Sequence, residues 1–159
     1  MPQYLRTIRQ SKWYKNNETP WLLPDDLQAD ALWDLRTNSN KFSVWDVDGE
    51  SLDLVIASLA ATREHLQNFD YALFSSEAIS RIGVRLIHSK GECCNGTVAM
   101  HKHCDLLELT AGKIMLLAKT VSPVRLNQRR VIELVKAYVN SGSLDPTTIS
   151  EAMKRTLSQ

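Results

Sequence analysis

His88, Cys93, Cys94, His101, His103 and Cys104 gather every cysteine of this chain, and three of its four histidines, into one short stretch. Thiolates and imidazoles bind zinc, and they also activate one another as nucleophile and base. If residues 100–121 are helical, His101 meets Cys104 and Asp105 at spacings of three and four. Cys94 from the preceding loop then completes a candidate zinc site of Cys94, His101, Cys104 and Asp105; the expectation is of no cofactor, with zinc the candidate where these side chains meet. If the segment is extended, His101 and His103 share a face and Cys104 leaves it. Adjacent Cys93 and Cys94 are poorly placed to ligate one tetrahedral ion, and no Cys-x-x-Cys pair exists, so only part of the cluster can face one point. A nucleophile reading pairs His101 with Cys104, or takes Cys94 near a helix start. The structural alternative is a glycine-containing loop with small buried cysteines; His103 then falls on a helical stripe and His88 ends a strand.

Asp46 and Asp48 form a second candidate. Residues 42–52 read FSVWDVDGESL, an apolar strand running into Asp-x-Asp-Gly. This resembles the first motif of the haloacid dehalogenase superfamily. The resemblance implies Asp46 as a phosphoryl-accepting nucleophile, Asp48 as general acid/base, a Mg²⁺ ion, and Ser75 as the counterpart of the second motif. Glu50 stands where the family has Thr, and the late acidic pair that holds the metal has no counterpart in a chain read as helical beyond residue 100. The commoner reading is a strand ending in an acidic turn.

Basic residues provide a third. Arg6, Arg9, Lys12 and Lys15 interleave with Tyr4, Trp13 and Tyr14, which could meet phosphates and stack bases. Arg125, Arg129, Arg130 and Lys136 form a second basic region, whereas residues 25–53 carry eight acids against Arg36 and Lys41. The candidate nucleic-acid contacts are Arg6, Arg9, Lys12, Arg129 and Arg130. The helices joined by Ser-Gly-Ser-Leu-Asp-Pro place Lys154 and Arg155 late, unlike a recognition helix. With a formal net charge of +1, the bases serve equally well to pair with the acidic segment.

The chain has no glycine-rich phosphate loop, dinucleotide fingerprint, Gly-x-Ser-x-Gly elbow or His-Glu-x-x-His. Its 159 residues, 43% hydrophobic and 23% charged, suit a single domain able to bury a core without disulfides. The first residues lack a signal peptide's apolar core and no run of about 18 apolar residues occurs, so a membrane is not an expected partner. Three cysteines, two adjacent, do not make a secreted framework, so the expected location is cytoplasmic.

Hydrophobic periodicity sets the elements that would position these groups. Leu27, Ala31 and Leu35 suggest a helix; residues 41–47, 71–74 and 84–87 read as strands; Leu52 to Leu66 carries the clearest helical stripe. Ser75 or Ser76 caps a short helix that Gly83 ends. Later stripes, Leu106 to Val121 and Val131 to Val139, are read as helices, with Asp145-Pro146 opening a last one. The expected fold is helix-rich α/β or α+β: a small sheet of about three strands within residues 41–88, flanking helices and an all-helical C-terminal half. Residues 1–23 read as an extended aromatic and basic arm, 24–99 as the α/β part and 100–159 as the helical part.

From this the expected function is a non-enzymatic accessory or adaptor protein that binds a partner protein, with Trp13, Tyr14 and Trp21 as interface anchors. A nucleic-acid accessory protein and a metal- or thiol-dependent enzyme centred on residues 88–104 are the alternatives.

Overall fold

Gln3–Ile8 forms the first strand (β1), and it lies inside the sheet instead of in an extended arm. The computed structural model describes residues 2–9, 11–14, 21–23, 26–49, 51–65, 67–91 and 98–158. Among these residues the sheet has six strands, the others being β2 (Phe42–Val47), β3 (Phe69–Ser75), β4 (Arg85–His88), β5 (His103–Leu107) and β6 (Ser122–Leu126). Their order is β4-β5-β2-β1-β3-β6, and every adjacent pair is antiparallel.

The expected fold class is therefore wrong in two respects. The sheet is twice the expected size, and the C-terminal half contributes β5 and β6 to it. β2, β3 and β4 coincide with strands read from the sequence, whereas β1, β5 and β6 were assigned to an arm and to helices. Arg6 disguised β1, and His-Cys-Asp is a poor local strand signal in β5. In β6, Pro123 marks a helix end by local rules, yet proline is also at home on an edge strand, and β6 pairs only with β3.

Both faces of the sheet are covered. Leu5, Trp45, Val47, Phe69 and Tyr71 point to one side, where they meet α1 (Leu52–Ala61), α5 (Gln128–Asn140) and α6 (Glu151–Leu157). Ile8, Val44, Ala72, Phe74 and Leu106 point to the other, beneath a 3-10 helix (Ala29–Leu35), α2 (Ser76–Arg81) and α4 (Ala111–Thr120). This alternation follows from the two-residue period of a strand. Burial on both faces explains the nearly continuous apolar run of β3. α1 is buried from Val55 to Ala61 because it lies between the sheet and α5.

Helix starts are set by side-chain oxygens that accept otherwise unpaired N–H groups. Ser75, Thr110, Asn127 and Ser150 accept from the backbone of Ala78, Lys113, Arg130 and Met153. Asp145 caps a 3-10 turn, Pro146–Thr148, ahead of α6, not α6 itself. Gly83 follows α2 at φ +69, a left-handed conformation in which a side chain would be strained. Among the described residues, no helix is long and apolar enough to cross a membrane.

Candidate functional site

The described residues of the Cys/His stretch do not converge on one point. A four-residue helix, α3 (Val98–His101), ends at an exposed His101, and β5 begins two residues later. Strand alternation then sends His103 and Asp105 to one face and Cys104 to the other. Asp105 accepts from Ser43 Oγ at 3.3 Å and lies 4.0 Å from Lys41 Nζ. His103 is buried edge-on against Trp45 with its ring bonded to Ser89 Oγ at 2.8 Å, and Gly91 packs so closely on it that an added Cβ would stand 3.1 Å from the ring. Cys93 and Cys94 lie outside the described residues. Among the described residues, no three His, Cys, Asp or Glu side chains are grouped to hold a metal ion.

Cys104 instead meets His88, its cross-strand neighbour in β4, with Sγ 3.3 Å from Nδ1. Antiparallel pairing of β4 with β5 creates that contact, and nothing in the spacing of the two residues signals it. Chemically the pair is quiet. Burial first, and then the charge of Asp46, push the Cys104 thiol up to about 11, so it is protonated at neutral pH.

With Cys93 and Cys94 replaced by serine, the remaining thiol should react with a disulfide reagent at pH 8 at least about tenfold more slowly than an unperturbed thiol. A thiolate fraction lower by about 100-fold is only partly offset by the higher intrinsic nucleophilicity of a more basic sulfur. The rate should climb about tenfold per pH unit until about pH 11. Fast, pH-insensitive labelling at pH 8 would restore the thiol-enzyme reading.

The acidic motif is used locally. Asp48 and Ser51 bond reciprocally at the start of α1, Asp48 Oδ1 accepting from the Ser51 N–H at 2.7 Å and Ser51 Oγ from the Asp48 N–H at 3.0 Å. The Ser51 hydroxyl and then its N–H hold the Asp48 carboxyl below its usual range. Asp46 is half-buried on β2, a strand flanked on both sides by antiparallel partners. Ser75 caps α2.

The arm is tied into the body. The Trp13 indole N–H donates to Asp34 Oδ2 at 2.8 Å, and the ring is 4% exposed. Tyr14 is half-buried under the Arg125 guanidinium, 4.9 Å from its ring centroid, and its hydroxyl finds no hydrogen-bond partner among the described residues. Of these three aromatics, Trp21 is the one left on the surface, 68% exposed. Two of the three expected interface anchors thus serve the fold.

The basic residues separate in the same way. Arg6 donates through Nε to the Asp34 carbonyl at 3.1 Å and through a terminal nitrogen to the Ser43 carbonyl at 2.8 Å, with its guanidinium over Phe42. Arg129 pairs with Glu133, and Arg130 lies 3.6 Å from Asp53 and 3.8 Å from Glu133. Arg9 and Lys12 are exposed. The geometry brings no continuous row of bases together from the five expected residues.

Among the described residues, an exposed apolar surface lies where none of these readings placed it. Leu32 and Trp33 on the 3-10 helix face Ile114 and Met115 on α4 across an open groove of about 660 Å³. Trp33 is 64% and Met115 55% exposed, with Leu116 beside them also exposed. The sequence carried a signal for this: Trp33 lies off the Leu27–Ala31–Leu35 stripe, and Met115 and Leu116 lie off the Ile114–Leu117–Ala118 stripe. Arg36 lines the end of the groove and also the adjoining cleft, where Lys41 and Lys90 face Asp105 as the one acid. In comparison with known proteins, no family model, curated protein or solved structure matches this chain.

Proposed function

We propose that this is a non-enzymatic intracellular accessory protein that holds a segment of a partner protein in the groove between the 3-10 helix and α4. The observation that carries the reading is the pairing of Trp33 and Met115, large apolar side chains left more than half exposed on facing elements. Contiguous exposed apolar surface of this kind marks binding sites, and aromatic and methionine side chains are enriched at interfaces. The occupant's chemistry follows from the groove's continuation. Beyond Arg36 the lining turns basic, so the matching segment presents two or three apolar side chains followed by carboxylates. Trp21 is a second exposed aromatic available to the same partner.

The test is site-specific photo-crosslinking from position 116 in cells, with the adduct mapped by mass spectrometry. The expected result is an adduct on an apolar segment that runs into Asp or Glu. A synthetic peptide of that segment should bind the purified protein and lose about 30-fold in affinity on Trp33→Ala, the usual cost of an interface hot spot. An adduct with a second copy of the chain, no adduct above one placed at position 155, or a peptide indifferent to Trp33→Ala would each overturn the reading.

A further inference from the structure

The ends of β1, β3 and β6, the turn after α1 and the start of α5 enclose a polar cleft of about 930 Å³. Three arginines line it: Arg9, Arg63 and Arg125. Arg125 is neutralised, since its Nε and a terminal nitrogen grip both oxygens of Asp70 at 2.8 and 2.7 Å. The other two are not. Neither the Arg9 nor the Arg63 side chain has a hydrogen bond or ion pair with any of the described residues. Glu64 also lines the cleft, is exposed, and forms no ion pair among the described residues.

Arg63 is held in place nonetheless. Its guanidinium lies over the Phe69 ring, 4.2 Å from the centroid, just past the end of α1. Burial, and then the charge of Arg9, hold its pKa below the usual guanidinium value. Two cations kept within reach of each other's field, one fixed on an aromatic platform, form an arrangement that an anion would complete.

We infer that this cleft binds a small organic phosphate, with Arg9 and Arg63 gripping the phosphate oxygens. A planar guanidinium presents parallel N–H donors that match phosphate geometry. The cleft is larger than a bare anion, and the side-chain amides of Gln67, Asn68 and Gln128 line the remainder as hydrogen-bonding groups for the body of the ligand. Asn68 Oδ1 already accepts the Gln128 N–H at 3.1 Å, which fixes the α5 end of the cleft. A nucleic-acid strand is the poorer match, because Arg129 and Arg130 beyond the cleft are already engaged by Glu133 and Asp53.

The probe is inorganic pyrophosphate, titrated into the full chain while backbone amide and arginine Nε resonances are followed by NMR. Saturable shifts should appear at Arg9, Arg63 and Gln128. Arg63→Gln and Arg9→Gln should each weaken binding about tenfold or more, the usual loss for one charge-assisted contact. Arg9 is exposed and its substitution leaves the fold intact, so a failure of Arg63→Gln to fold would not remove the test. No saturable shift by roughly 10 mM, or shifts unchanged in the Arg9 variant, would overturn the inference. So would a single-stranded oligonucleotide that binds the same residues more tightly than pyrophosphate, since the ligand would then be a polymer.

Discussion

Arg6→Met is expected to destabilise the protein by about 2–3 kcal/mol, read as a lower urea midpoint with an unchanged slope. The methionine stem keeps much of the packing over Phe42, so the loss is polar. The Asp34 and Ser43 carbonyls would each lose a charged donor. β1 and β2 pair from Gln3–Val47 to Leu5–Trp45, and the Arg6 side chain bridges from β1 to the β2 backbone just beyond that ladder. Arg6→Lys should recover less than half of the loss, because an ammonium cannot present the fork that reaches both carbonyls. A residue whose work is to contact nucleic acid would show the reverse: unchanged stability and weaker binding. A midpoint shift under about 0.5 kcal/mol for Arg6→Met would return it to the list of surface ligands.

Phe74→Ala should cost more, about 3–5 kcal/mol. The ring is fully buried beneath the second layer of helices, tilted against Phe42 with centroids 6.2 Å apart. Its neighbour Leu73 points to the opposite face and is only half-buried, so Leu73→Ala should cost clearly less. The comparison checks the register of β3 against β1, in which Tyr4 stands opposite Phe74. A one-residue slip would exchange the two faces and invert the order of the two losses. Equal losses, or a larger one at Leu73, would reject the register. If Phe74→Ala leaves too little folded protein to measure, Phe74→Leu against Leu73→Ala gives the same ordering on a smaller scale.

Much of the middle of the fold can be read from residues alone. Aromatic and β-branched residues dominate β2, β3 is a largely apolar run, α1 carries an apolar stripe wide enough to be buried, and Ser75 and Gly83 bracket α2 by ordinary capping rules. The misread strands are those whose local composition argues for something else. β1 holds a central arginine whose charge is met by carbonyls from segments far along the chain. β5 is His-Cys-Asp-Leu-Leu, and its cysteine and aspartate fit a helix turn as well as a strand until β2 and β4 on either side decide the matter. Pairing partners are non-local, so periodicity within a short window cannot supply them.

The same cause governs the candidate sites. The cluster from His88 to Cys104 looked like one site because its members are close in sequence, but the pleat of β5 separates Cys104 from Asp105 and brings Cys104 to His88. Arg63 carried no motif at all; it matters because a turn sets it on Phe69 beside Arg9. Trp33 and Met115 were legible in principle, as apolar residues off their own helical stripes.

The position of β1 has a consequence for how the molecule is made. β1 is bonded on one side to β2 and on the other to β3, so both of its ladders close over long intervening segments of chain. The sheet extends outward from β1 on both sides, and the edge strands β4 and β6 each pair with a single neighbour. Such dependence on distant partners makes for slow folding. It also leaves β1 as the sole seam between β4-β5-β2 and β3-β6: without Gln3–Ile8 there would be two ribbons and no sheet.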